Sequence, residues 1–228
     1  MITFHIITLF PESLESYLGA SILGRAQKEK HIAVKYYNPR DFVTVKKGKS
    51  PSYADRRVDN RPYGGGPGMV IEAVPVIKAI EKAVGAKLKS AKSKKKVQIV
   101  FFSPAGKEFS NITADSFKKF TDIVLVCGRY EGIDVRIKKV FPMVDISTGP
   151  YVVTGGELPA MIVIDAITRR IPGVLGHDSS VEENRISSSD VYTRPEVIEY
   201  KGKKYKVPKI LLTGDHKKID EWKLKGRK

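Results

Sequence analysis

The sequence predicts an α/β fold, a mostly parallel sheet in one main domain followed by a small C-terminal unit. Two observations carry this. Short β-branched and aromatic runs alternate with segments of helical spacing through residue 171, the pattern of strand, crossover helix and parallel strand. Several joints hold glycine directly after a predicted strand, where open α/β sheets bind ligands.

The first strand is "MITFHIITLF", and "PESLESYLGASILGRAQKEK" follows as a helix with Leu14, Leu18, Ile22 and Leu23 at helical spacing. "HIAVKYYNPR" is the second strand. Pro39 to Pro67 is too polar for core and too long for a simple connection. "IEAVPVIKAIEKAV" is a helix, and "KLKSAKSKKK" reads as a lysine-rich linker with little capacity to pack. Next come strand "VQIVFFSP", a short helix from Thr113 to Phe120, strand "DIVLVCG", a short helix in "GIDVRIKKVF" and strand "MVDIS". "GPYVVTGGELPAM" reads as a further strand running into "LPAMIVIDAITRR", the most apolar helix. Residues 1–171 form the main domain, 172–191 a polar linker, and 192–228 a basic unit with one apolar patch, "VPKILLTG".

The chain carries 41 Lys plus Arg against 25 Asp plus Glu, a net charge of +16. Such a surplus attracts polyphosphates and makes nucleic acid the leading partner. No apolar run is long enough for a membrane span, the first ten residues lack a basic leader, and one cysteine excludes an intrachain disulfide. A cytoplasmic protein is expected.

Familiar motifs fail. "VTVKKGKS" ends like a phosphate-binding loop, but its first glycine would fall on Val43. No G-x-G-x-x-G follows a strand, and His5, His31, His177 and His216 are scattered without metal-ligand spacing. Cys127 ends an apolar strand and reads as packing rather than a nucleophile. What remains are "FFSPAG", "CGRYEGID" and "GPYVVTGGELPAM", three glycine-bearing loops able to wall one pocket. Each alone could be a tight turn. Together they suit a ligand read by bare backbone groups. "DNRPYGGGPGM" has four glycines and two prolines in eleven positions, yet carries Arg61 for phosphate and Tyr63 for stacking. The plainer reading is a structural loop with a buried tyrosine.

Taken in order, "ITLFPE", "DNRPYGGGPGM", "SPAG", "CGRYEGID", "GPYVVTGGELPAM" continued by "IDAITRRIPGVLG", "YTRPEV" and "VPKILLTGDHKKIDEW" resemble the bacterial tRNA (guanine-N1)-methyltransferase family of the SPOUT superfamily. The resemblance implies an S-adenosylmethionine-dependent enzyme that methylates N1 of the guanine just 3′ of the anticodon. It also implies a homodimer, magnesium as an activator at no identifiable site, and a trefoil knot over about residues 97–171. The bent cofactor is implied to lie against Phe102, Ser103, Pro104, Gly128, Tyr130, Glu131, Gly132, Thr148, Gly149, Tyr151, Val153, Gly155, Gly156 and Pro159. On this reading side chains at Gly155 or Gly156 would fill the ligand's space. Arg61, Tyr63, Gly64, Gly65 and Gly66 are implied substrate contacts.

Methylating guanine N1 requires a base for its proton and a donor for charge moving to O6. Arg169 matches the family's arginine; alternatively it pairs with Asp165 one turn back. Asp190 is the candidate base, with Glu182 and Glu183 as alternatives and a cap or turn role as the plainer reading. Pro150 stands where the family commonly has an acid. The C-terminal unit, shorter than the family's, would grip tRNA partly through lysine contacts to phosphate. Two other functions stay open, a catalytically silent RNA-binding protein and a SPOUT enzyme acting on another RNA.

Overall fold

In the computed structural model, which describes residues 1–43, 54–176 and 190–225, the run "DIVLV" is buried at every position. It is the middle strand of a sheet covered on both faces, and so carries no polar alternation. The strands are β1 (Ile2–Ile7), β2 (Ile32–Tyr37), β5 (Val97–Glu108), β6 (Asp122–Val126) and β7 (Val144–Ser147), all parallel in the order β2-β1-β6-β5-β7. Two short strands, β3 (Asp59–Asn60) and β4 (Val70–Ile71), form a separate antiparallel hairpin.

The two faces bury different sets. Ile123 and Leu125 of β6 join Phe4 and Ile6 of β1 against α1 (Glu12–Leu18), α2 (Ser21–Lys28), α5 (Asn111–Phe117) and α7 (Glu157–Thr168). Val124 and Val126 face α3 (Ala73–Leu88) and α6 (Ile137–Val140), where Val76, Ile80, Val84 and Ile137 pack. Fully burying one such aliphatic side chain contributes about 1.5–3 kcal/mol.

Several boundaries differ from the sequence reading. The first helical segment breaks in two at Gly19–Ala20. The lysine-rich segment is not a bare linker. Helix α3 runs into it, α4 (Ala91–Lys94) adds a turn, and Lys87 reaches the buried Asp122 carboxylate at 2.6 Å. Helix α6 starts only at Ile137 because Ile133 is taken up in a bridge to Ile71 and Asp134 accepts the Arg136 backbone N–H. Strand β5 extends to Glu108, with its register to β7 shifting between Phe102 and Lys107, so "SPAG" is an irregularity inside a strand. No strand forms across Gly149–Gly156, where the chain crosses as an irregular loop.

The chain divides into two units, Met1–Val174 and Leu175–Lys228. The described part of the second contains the antiparallel pair β8 (Val197–Tyr200) and β9 (Lys203–Lys206), and α8 (His216–Lys225). Its rings Tyr192 and Trp222 lie 6.2 Å apart. Most of the predicted linker, with Glu182 and Glu183, and the "VTVKKGKS" segment after Val43 lie outside the described residues.

Candidate active site

Parallel strands deliver their following loops to one edge of the sheet, which brings the glycine segments together. Here the loops after β6 and β7 and the irregular part of β5 wall a cleft of about 480 Å³ in the first unit. Phe102, Ser103, Pro104, Gly128, Tyr130, Glu131, Gly132, Thr148, Tyr151, Val153, Gly155, Gly156 and Pro159 line it, joined by Phe101, Arg129, Ile133, Lys138 and Thr154. Gly149 does not line the cleft, although its carbonyl accepts the Ser147 hydroxyl at 2.9 Å behind it.

Gly155 and Gly156 have a reason of their own for lacking side chains. A Cβ on Gly156 would lie 2.6 Å from Cys127 Cα, and one on Gly155 would fall on the Arg129 and Glu157 side chains. These clashes are with protein atoms, so the space is already filled by the fold and is not ligand space. The Gly156 N–H donates to the Gly128 carbonyl at 2.9 Å, clasping the two loops. Cys127 is buried beneath this contact, and burial pushes its thiol well above the usual range. It packs, as its apolar neighbours predict.

The segment Asp59–Met69 comprises β3 and the loop that joins it to β4. Gly64, Gly65, Gly66 and Gly68 all have φ between +81° and +111°, which other residues rarely adopt. Tyr63 is fully exposed, so the buried-tyrosine reading is corrected, and Arg61 is exposed beside it. The hairpin is hydrogen-bonded to the loop after β6. Glu131 N–H donates to the Met69 carbonyl at 3.0 Å and Ile71 N–H to the Gly132 carbonyl at 2.9 Å.

Arg169 is the C-cap of α7, its N–H donating to the Asp165 carbonyl at 3.0 Å. The Asp165 carboxylate accepts the Tyr17 hydroxyl at 2.6 Å. Asp190 belongs to the second unit and is exposed. Among the described residues no group of three or more His, Cys, Asp or Glu could hold a metal ion. No described helix is long and apolar enough to cross a membrane.

Sequence reasoning used "ITLFPE" for the resemblance but gave its residues no role at the site. Thr8 and Phe10 lie in the loop after β1, outside the cleft lining, and engage Glu157 and Arg129 respectively. The predicted strand runs through Phe10, whereas the observed one ends at Ile7, and the available signal was their place in that segment.

The family model described as tRNA (Guanine-1)-methyltransferase TrmD matches residues 2–228. Among curated relatives, the tRNA (guanine-N(1)-)-methyltransferase of Buchnera aphidicola subsp. Schizaphis graminum is 44% identical over 99% of this chain and 80% of that one. The protein of the same name from Clostridioides difficile is 41% identical over 96% of this chain and 90% of that one. That from Pseudoalteromonas atlantica is 39% identical over 96% and 78%. With the glycine loops assembled into one cleft and similarity running the length of the sequence, the chain belongs to the tRNA (guanine-1)-methyltransferase family.

Proposed function

We propose that this protein transfers a methyl group from S-adenosylmethionine to N1 of the guanine at position 37 of tRNA, immediately 3′ of the anticodon. The observation that carries this reading is the convergence of three backbone-rich loops on one cleft, in a chain of this family.

The residues present fit the donor. The cleft's volume of about 480 Å³ lies within the ~300–1,000 Å³ typical of small-molecule sites. Nothing stands within 4 Å of where a Cβ on Gly132 would be, so the backbone there is open to close approach. Phe102 to Pro104, Gly128 to Gly132 and Thr148 to Pro159 would hold the donor, largely through main-chain groups. When bound, it supplies an electrophilic methyl carbon on a sulfonium.

Everything else falls to the chain. Guanine N1 carries a proton at neutral pH, and the Asp190 carboxylate accepts it. The Arg169 guanidinium offsets the negative charge that moves toward O6. Arg61 supplies a cation for phosphate and Tyr63 an exposed face for a base, on the glycine hairpin tied to the donor loop. Within the second unit, residues 192–228 act as a tRNA grip, with Lys203, Lys204 and Lys206 on an exposed hairpin.

The working form is a homodimer. Leu158 and Ile162 are exposed one turn apart on α7, near the exposed Tyr17 and Ile22, an apolar face that a second copy would cover. A trefoil knot over about residues 97–171 and a cytoplasmic location complete the reading.

The test is incubation with labelled methyl donor and an unmodified tRNA bearing guanine at position 37, followed by a mass-spectrometric digest. N1-methylguanine at that position, lost in Asp190→Ala and Arg169→Ala, supports the reading. Donor binding without transfer would make the chain an RNA-binding protein, and transfer elsewhere an enzyme of another RNA.

A further inference from the structure

Glu157 is a carboxylate with 3% of its surface exposed, at the first position of α7 and outside the cleft lining. One of its oxygens accepts the Thr8 hydroxyl at 2.7 Å. The other lies 2.9 Å from Arg129 Nε, out of line for a hydrogen bond, and neither atom has another hydrogen-bond partner, so the contact is an ion pair. Arg129 does line the cleft, and its guanidinium lies 4.8 Å over the Phe10 ring. Phe10 N–H closes the circle on the Thr8 hydroxyl at 3.0 Å. Gly155 bridges Arg129 with no room for a side chain beside the pair.

Glu157 is buried while the Arg129 side chain is partly exposed toward the cleft, and such a pair is a poor source of stability, because desolvating the charges offsets much of their attraction and well-packed apolar residues often do as well. Its geometry is what an apolar pair could not reproduce. This pair joins the loop after β1, the loop after β6 and the start of α7, and both glycine walls of the cleft hang from those elements.

We infer that Arg129 and Glu157 are positioning residues for the methyl donor, a clamp anchored on the buried Glu157 that fixes the spacing of the loops after β6 and β7. The inference rests on the methyl-transfer reading and deepens it. Glu157 acts through Arg129 and Gly155, and takes no part in proton transfer.

The test compares wild type with Glu157→Gln, Arg129→Met and the double variant. The measurements are melting temperature, calorimetric affinity for S-adenosylhomocysteine, and KM for donor and for tRNA. Glu157→Gln is expected to weaken donor affinity about tenfold, equivalent to about 1.4 kcal/mol, with KM for tRNA within about twofold. The double variant carries no unpaired buried charge. It is expected to regain melting temperature without regaining donor affinity, because the aim of the loops is lost. Folded single variants that bind the product like wild type would overturn the clamp, as would a double variant that recovers affinity together with stability. Absence of binding by wild type would overturn the methyl-transfer reading, and the clamp with it.

Discussion

Ile71 and Gly132 are held backbone to backbone, the Ile71 N–H on the Gly132 carbonyl, while Asp134 N–H returns to the Ile71 carbonyl, both at 2.9 Å. The hairpin that presents Tyr63 is therefore an extension of the loop that walls the cleft. Any displacement of one is felt by the other, which suits a reaction between two ligands.

Tyr63→Ala should separate stability from substrate handling. The ring is fully exposed, so the melting free energy should change by no more than about 0.5 kcal/mol. Base stacking on an aromatic ring contributes about 1–3 kcal/mol, and kcat/KM for tRNA should fall correspondingly while donor affinity holds. Unchanged tRNA kinetics would remove Tyr63 from the substrate site.

Gly156→Ala should be costly, because its Cβ would meet the main chain of Cys127 at 2.6 Å. Overpacking of this kind costs about 1–3 kcal/mol, and relief by separating the two loops should also weaken donor binding. Gly176→Ala is the control, since nothing lies within 4 Å of its Cβ position. Denaturant melts and calorimetry on both variants check the pair.

Stability should fall in acid through the buried polar network of His5 and Asp122. His5 Nε2 lies 3.0 Å from Asp122 and its Nδ1 3.1 Å from the Tyr37 hydroxyl, so a neutral ring donating to Asp122 satisfies both. Burial lowers the His5 pKa below 6.5 against the pull of Asp122. Burial opposes ionisation of Asp122 too, but hydrogen bonds from Lys87, His5 and Thr121 prevail and hold it below 3.8. Between its folded value and 6.5 the unfolded chain binds the His5 proton and the folded one does not, so stability declines as pH drops below about 6.5. Asp122 adds a second loss below about 3.8, as the pH falls toward its folded value. Urea melts across pH 4–7 on wild type and His5→Gln check this, the variant lacking the upper decline.

Binding to tRNA should weaken steeply with salt, since each neutralised phosphate contributes about 0.7–0.9 to the log–log slope. Lys203 and Lys204 are exposed on β9, with Glu199 facing Lys204 across the hairpin. Reversing both charges should reduce the slope by about two units. Filter binding between low and moderate salt measures it, and a flat wild-type dependence would take phosphate out of the grip.

Much of this protein is local information. The continuous apolar run of β6, the strand–helix alternation and the glycines after strands are properties of short segments, and they suffice for a parallel α/β sheet with loops at one edge. Boundaries proved less legible where long-range partners intervene. Ile133 pairs with Ile71, more than sixty positions earlier, and so delays α6. Lys87 is drawn into α3 by Asp122.

The amino-acid sequence alone determined the fold class, the basic character and the family resemblance, because periodicity, charge and ordered motifs survive without a third dimension. Tertiary structure alone decided that Gly155 and Gly156 answer to Arg129, Glu157 and Cys127, that Tyr63 is exposed, and that Thr8 meets Glu157. Those facts depend on which distant atoms meet, and no spacing along a chain specifies a contact between residues 149 positions apart.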